Sequence, residues 1–188
     1  MTSSRPLRAD AIRNRAKILT AASEQISRHG IEIGMDEIAA AAGVAVGTLY
    51  RHFPNKTELV AAVVVDFFHR VADDAEAANQ RVVEGASALD EITNFLRRVI
   101  EAAAINHAAK AAASAMGTHP GDPAAEQRSA AAVTSMIKAG QTAGDIHPDV
   151  TVDDIYLLVN SAPTDQPPAA RRRWLALVLP GLTTHPRR

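Results

Sequence analysis

Ala39 and Gly43 stand four residues apart in the stretch Ile38-Ala39-Ala40-Ala41-Ala42-Gly43-Val44-Ala45-Val46-Gly47-Thr48-Leu49, which leaves this part of the chain few ways to fold. Two short helices that cross steeply need a small residue where their backbones approach, and a turn residue that accepts positive φ. Alanine and glycine supply these two properties. Ile38, Ala42, Val44 and Leu49 recur at the spacing that buries them against a preceding helix. Pro54 closes the second short helix, because proline cannot continue the hydrogen-bond ladder. The segment reads as helix-turn-helix, with helices over about 35–42 and 46–52.

Helical spacing recurs elsewhere, and no segment sustains the period-two alternation of a strand. A first helix is predicted over 10–28, with Ile12, Ala16, Leu19, Ala22 and Ile26 on one stripe and Gly30 as its stop. A long helix is predicted from Asn55, whose side chain can cap with Glu58 three residues on, to about residue 83. Further helices are predicted after Gly85, over 124–139, from Thr151 with Asp154 in capping-box spacing, and over 169–178. The fold class is all-α: a three-helix head and a larger helical body. The boundaries read from the sequence are a flexible basic arm over 1–9, the helix-turn-helix domain over 10–55 and the body over 56–188.

The charge is uneven. Residues 1–60 hold eight Lys/Arg against six Asp/Glu, whereas 61–170 hold seven against fifteen. In the first seventeen residues Arg5, Arg8, Arg13, Arg15 and Lys17 face only Asp10. A basic leader on a helical head suits a polyanion, since phosphate contacts supply much of DNA affinity. A solvated tail is the plain alternative. The longest apolar run covers seven residues, 59–65, far short of the roughly 20 a membrane-spanning helix needs. No apolar stretch follows Arg5 and Arg8, and there is no cysteine, so a cytoplasmic location without membrane contact is expected.

With Leu49 inward, the third helix presents Val46, Gly47, Thr48, Tyr50, Arg51 and His52 outward, a face too short and polar for a core helix. An α-helix fits the major groove, where its side chains meet base edges and phosphates. Lys56, at the start of the long helix, adds a phosphate contact. Asp66, His69 and Asp73 on one helix side, and the scattered His107, His119 and His147, read as ordinary charged faces; no metal or other cofactor is expected. The absence of a nucleophile turn or phosphate loop gives no reason to expect an enzyme.

The string Gly43-Val44-Ala45-Val46-Gly47-Thr48-Leu49-Tyr50-Arg51-His52-Phe53-Pro54-Asn55-Lys56, with Leu59 and the preceding Ile38-Ala39, resembles the signature of TetR-type transcriptional regulators. The resemblance covers about residues 12–65. It implies a homodimer with a DNA-binding head on each subunit, a body that holds a ligand pocket, and repression released by a small-molecule effector. It places Thr48, Tyr50 and His52 at DNA-contacting positions, Lys56 on the backbone, and Val46, Gly47 and Arg51 as variable readers. Ala45 stands where the family often has a capping serine, and Gly34 where a threonine often begins the second helix. Each loses a cap that contributes roughly 0.5–2 kcal/mol.

In the body, Phe67, Val71, Phe95, Val99, Met116, Met136, Tyr156 and Asn160 are candidates to line a mainly apolar ligand cavity. The alternative for such a stripe is ordinary core. Ile155, Val159, Trp174, Leu175, Val178 and Leu179 on the last two helices are candidates for a four-helix dimer interface, with internal packing as the alternative. Two other functions fit the same residues: a small-molecule-binding protein or enzyme with a vestigial head, and a DNA-binding protein whose body only dimerises.

Overall fold

The structure, a computed structural model, describes the backbone of residues 4–184 and the side chains of 9–184. Eight α-helices follow one another among the described residues: α1 (Ser4–His29), α2 (Met35–Ala41), α3 (Val46–His52), α4 (Lys56–Val83), α5 (Ala88–Ala115), α6 (Pro123–Ala143), α7 (Val152–Ser161) and α8 (Pro168–Val178). A 3-10 turn, Leu179–Gly181, ends the series, and the described residues contain no strand. No described helix is long and apolar enough to cross a membrane.

Two compact units make up the chain, one of residues 1–67 with 105–121, the other of 68–104 with 122–188. The boundary read from the sequence at 55/56 falls inside the first. That unit takes the start of α4 through Leu59, Val60, Val63 and Val64, all buried, and the end of α5 through buried Ala109, Ala112 and Ala113. Ser23 of α1 and Asn106 of α5, both buried, share a hydrogen bond of 3.2 Å from the serine hydroxyl to Asn106 Oδ1. At such a site a lost partner costs about 1–3 kcal/mol, so the pair fixes how α5 meets α1.

The first helix departs from its predicted form. It begins at Ser4, so residues 4–9 of the predicted arm are helical, and 1–3 lie outside the described residues. Its buried stripe starts only at Ile18 and continues through Leu19, Ala22 and Ile26. Ile12, expected on that stripe, is 71% exposed, and Ala16 is exposed too. Burial of α1 begins only six residues beyond Ile12, so apolar spacing alone overstated the stripe.

The second unit has its own core. Ile92, Phe95, Leu96, Val99 and Ile100 of α5 repeat at i, i+3, i+4, i+7 and i+8 and meet Ala75 and Ala78 of α4 and Val133, Met136 and Ile137 of α6. Each large side chain so buried contributes roughly 1.5–3 kcal/mol. Gly140 admits Ile146 to this core, for a Cβ at Gly140 would stand 2.4 Å from the isoleucine Cδ1. The buried Arg171 of α8 holds Glu101 of α5 with a two-pronged contact, one prong measuring 3.1 Å from Nε to Oε1.

Two of the residues expected at a dimer interface are buried in this core. Ile155 is 2% exposed and Leu175 4%, and both pack with α5 and α6 side chains. Val159, Trp174, Val178 and Leu179 are half-buried against the same cluster. Among the apolar side chains that α7 and α8 leave outside are Leu157, 66% exposed, and Leu177, 47% exposed. Each stands two residues beyond its buried neighbour, about 200° around the helix, so it points to the opposite face.

Candidate nucleic-acid interface

The turn between α2 and α3 is built around Gly43, whose φ of +64° is strained for any residue with a Cβ. Val44 N–H donates to Ala39 C=O at 3.0 Å and Gly43 N–H to Ala40 C=O at 3.1 Å, the paired bonds of a Schellman ending. Ala39, fully buried, lies beneath the crossing. Leu49 is likewise fully buried and anchors α3, which contacts both α1 and α2.

The two uncapped starts are resolved differently. Gly34 offers no side chain, but its N–H donates to Glu37 Oε2 at 2.8 Å, so the glutamate performs half of a capping box. Ala45 provides nothing comparable, and α3 starts without a side-chain cap. At the next corner Asn55 Oδ1 accepts from Glu58 N–H at 2.9 Å, while Asn55 Nδ2 donates to Glu58 Oε1 at 2.9 Å. That double contact fixes the start of α4, where Lys56 is half-buried.

With Leu49 inside, the outer face of α3 carries Val46, 42% exposed, and Tyr50, 47% exposed, with Gly47 and Arg51 exposed and Thr48 and His52 less so. Gly47 has nothing within 4 Å of where its Cβ would be, so the helix is open there to close approach. All seven residues expected to contact DNA, including Lys56, belong to the first unit. Arg51 lies back along its own helix, with Nε donating to Gly47 C=O at 3.2 Å and Nη2 to Thr48 Oγ1 at 2.8 Å. Sequence reasoning did not see the placement of Arg15 on α1, whose guanidinium lies 5.4 Å from the centre of the Phe53 ring. Thirty-eight residues of separation leave no local signal for such a pair.

The expected ligand-pocket residues are divided between the two units. Phe95, Val99 and Met136 are buried in the core of the second unit with Val71 against them, and Phe67 is buried in the first. Met116, Tyr156 and Asn160 are exposed. The Tyr156 hydroxyl donates to Glu126 C=O at 3.4 Å, and burial of part of the ring, helped by the Glu126 charge, pushes its pKa up. Two clefts of about 490 and 420 Å³ lie in the second unit, and none of the eight lines either.

Comparison with known proteins agrees with this geometry. Residues 18–63 match the model for bacterial regulatory proteins of the tetR family, and residues 87–184 the model for the SbtR-like transcriptional regulator C-terminal domain. The HTH-type transcriptional regulator SAB2452 of Staphylococcus aureus (strain bovine RF122 / ET3-1) is 37% identical over 76 residues, 36% of this chain and 41% of that protein. The chain thus matches about two fifths of the length of its curated relatives. The crystal structure of a TetR transcription regulatory protein from Mycobacterium vanbaalenii is 33% identical and superposes with a TM-score of 0.77, covering 95% of this chain and all 100% of that one. TetR transcriptional regulator SCO0520 from Streptomyces coelicolor is 29% identical, with a TM-score of 0.73 and coverage of 90% and 98%. Family models that take in both the turn and most of the body, together with a relative similar over its whole length, establish that the chain belongs to the TetR family of transcriptional regulators.

Proposed function

We propose that this regulator binds double-stranded DNA as a homodimer, placing one α3 in each of two successive major grooves of a near-palindromic site, and that a small-molecule effector releases it as a repressor is released. The observation that carries the reading is the outward face of α3, with Tyr50, Val46, Gly47 and Arg51 exposed around a buried Leu49. A helix held by one buried residue and a fixed turn is a rigid reading element, as major-groove recognition demands. Thr48, Tyr50 and His52 are assigned to base and backbone contacts, Val46, Gly47 and Arg51 to sequence preference, and Lys56 to a phosphate.

Dimerisation is assigned to the outer faces of α7 and α8. Leu157 and Leu177 leave apolar area in water there, and a symmetry mate would cover it. Effector response follows from linkage: a ligand that binds better when the two heads are wrongly spaced for DNA draws the population to that state. Helix α4, which supplies residues to both units, is the proposed lever.

Fluorescence anisotropy against a duplex pool that includes the DNA flanking the protein's own gene tests the DNA reading. Wild type binds tightly and loses affinity steeply with salt, and Tyr50→Ala binds more weakly. No binding of any duplex would instead favour a vestigial head. For the lever, inter-subunit spin-label distances between α4 helices change with effector; unchanged distances in a protein that still responds would rule it out.

A further inference from the structure

The leading turns of α1 are not needed by the head they precede. From Ala9 to Lys17 every residue is exposed except the half-buried Asn14. Helical turns with nothing packed on them are marginal in water. The cations on this segment are held differently. Arg13 pairs with Asp10 one turn back. Arg15 precedes Ile18, Leu19, Ala22 and Ile26 by three, four, seven and eleven residues, so it extends the buried side of α1 beyond the core. There it meets the ring of buried Phe53, the residue that follows His52 at the end of α3. Arg15 itself is exposed, and no carboxylate pairs with it among the described residues.

A guanidinium drawn to a ring face spends none of its N–H donors on hydrogen bonds there, so its fork stays able to grip a phosphate with two parallel bonds. We propose that Arg15 is a DNA-backbone-binding residue: an anchored phosphate contact delivered by α1 beside the end of the reading helix, outside the helix-turn-helix. The proposal rests on the DNA-binding reading above and adds to it a contact made by a different element. Lys56 follows by three residues the Phe53 that Arg15 meets, so both cations belong to the same end of α3.

The test is the salt dependence of binding to a labelled mixed-sequence DNA duplex, because a phosphate contact is independent of sequence and its loss lowers the slope of log K against log salt by about 0.9. Arg15→Gln is expected to lower the slope by that amount with unchanged thermal stability, and Arg15→Lys to keep it. Wild-type slope in Arg15→Gln would overturn the proposal and leave the α3 reading standing. An equal drop per charge in the double variant Arg13→Gln, Lys17→Gln would overturn it too, replacing an anchored contact with a diffuse basic leader. Wild-type protein without salt-dependent binding would overturn the DNA reading itself, and this proposal with it.

Discussion

Arg51 donates to the hydroxyl of Thr48 at 2.8 Å, one turn back on the same exposed helix face. A second donation, to Gly47 C=O at 3.2 Å, lays the guanidinium along α3. Both bonds lie at the surface, where exchange with water leaves a net contribution of only about 0.5–1.5 kcal/mol each. A base edge with two acceptors can therefore compete for the same N–H groups. Arg51→Ala is expected to reduce discrimination between a selected site and mixed sequence by about 1–3 kcal/mol, read by competition binding. Equal discrimination in the variant would remove Arg51 from the reading set.

The missing cap on α3 gives a gain-of-stability prediction. Ala45 has the extended φ and ψ of an N-cap, −64° and 142°, and lacks only the oxygen. Ala45→Ser is expected to stabilise the protein by about 0.5–2 kcal/mol. For a chain of this size that raises Tm by roughly 2–4 °C per kcal/mol. A thermal melt showing no rise would mean that the first turn of α3 is already satisfied by other means.

Ser23 and Asn106 predict a coupling that the domain boundaries read from the sequence did not contain. Ser23→Ala removes the donor at 3.2 Å from Asn106 Oδ1 in a buried setting, with an expected loss of about 1–3 kcal/mol. Urea denaturation of Ser23→Ala, Asn106→Ala and the double variant measures the pair directly. The two losses should not add, and additive losses would show the residues to be independent.

The end helices make a paired prediction. Leu157→Glu and Leu177→Glu place charge on the outer apolar face and are expected to yield folded monomers by light scattering. Ile155→Ala and Leu175→Ala remove buried groups and are expected to lose about 2–5 kcal/mol while keeping the assembly state. Dimers in both leucine-to-glutamate variants would move the interface elsewhere.

Acid should weaken the start of α7. Asp154 accepts from both the N–H, at 2.8 Å, and the hydroxyl, at 2.9 Å, of Thr151, and these bonds hold its pKa below the usual carboxylate range. A carboxylate depressed in the folded state contributes its stability above the unfolded pKa and loses it as pH falls through the folded one. The Tm difference between wild type and Asp154→Asn should therefore be full near neutrality and shrink at acid pH. A difference constant with pH would contradict the capping role.

What was legible in the sequence follows from where its punctuation lies. Helix α3 runs over 46–52 as read, because Gly43 forces the turn before it and Pro54 stops the ladder after it. Asn55 with Glu58 marked the start of α4 equally well. The start of α1 carries no such mark, and Ile12 has apolar spacing without anything to pack on. On α7 and α8 apolar residues occupy both faces, so periodicity could not tell Ile155 from Leu157 or Leu175 from Leu177. The pairs Arg15–Phe53 and Ser23–Asn106 join residues far apart in the chain, and only the packed head brings them together.

The central claim, that α3 reads DNA as one of a symmetric pair, is tested most directly by selecting bound duplexes from a randomised pool and sequencing them, with wild type beside Tyr50→Ala. The account predicts enrichment of a near-palindromic sequence with half-sites about one helical turn, roughly 10 base pairs, or a multiple of it apart, lost or weakened in the variant. A wild-type pool that stays random, or the same enriched site at full strength in Tyr50→Ala, would contradict it.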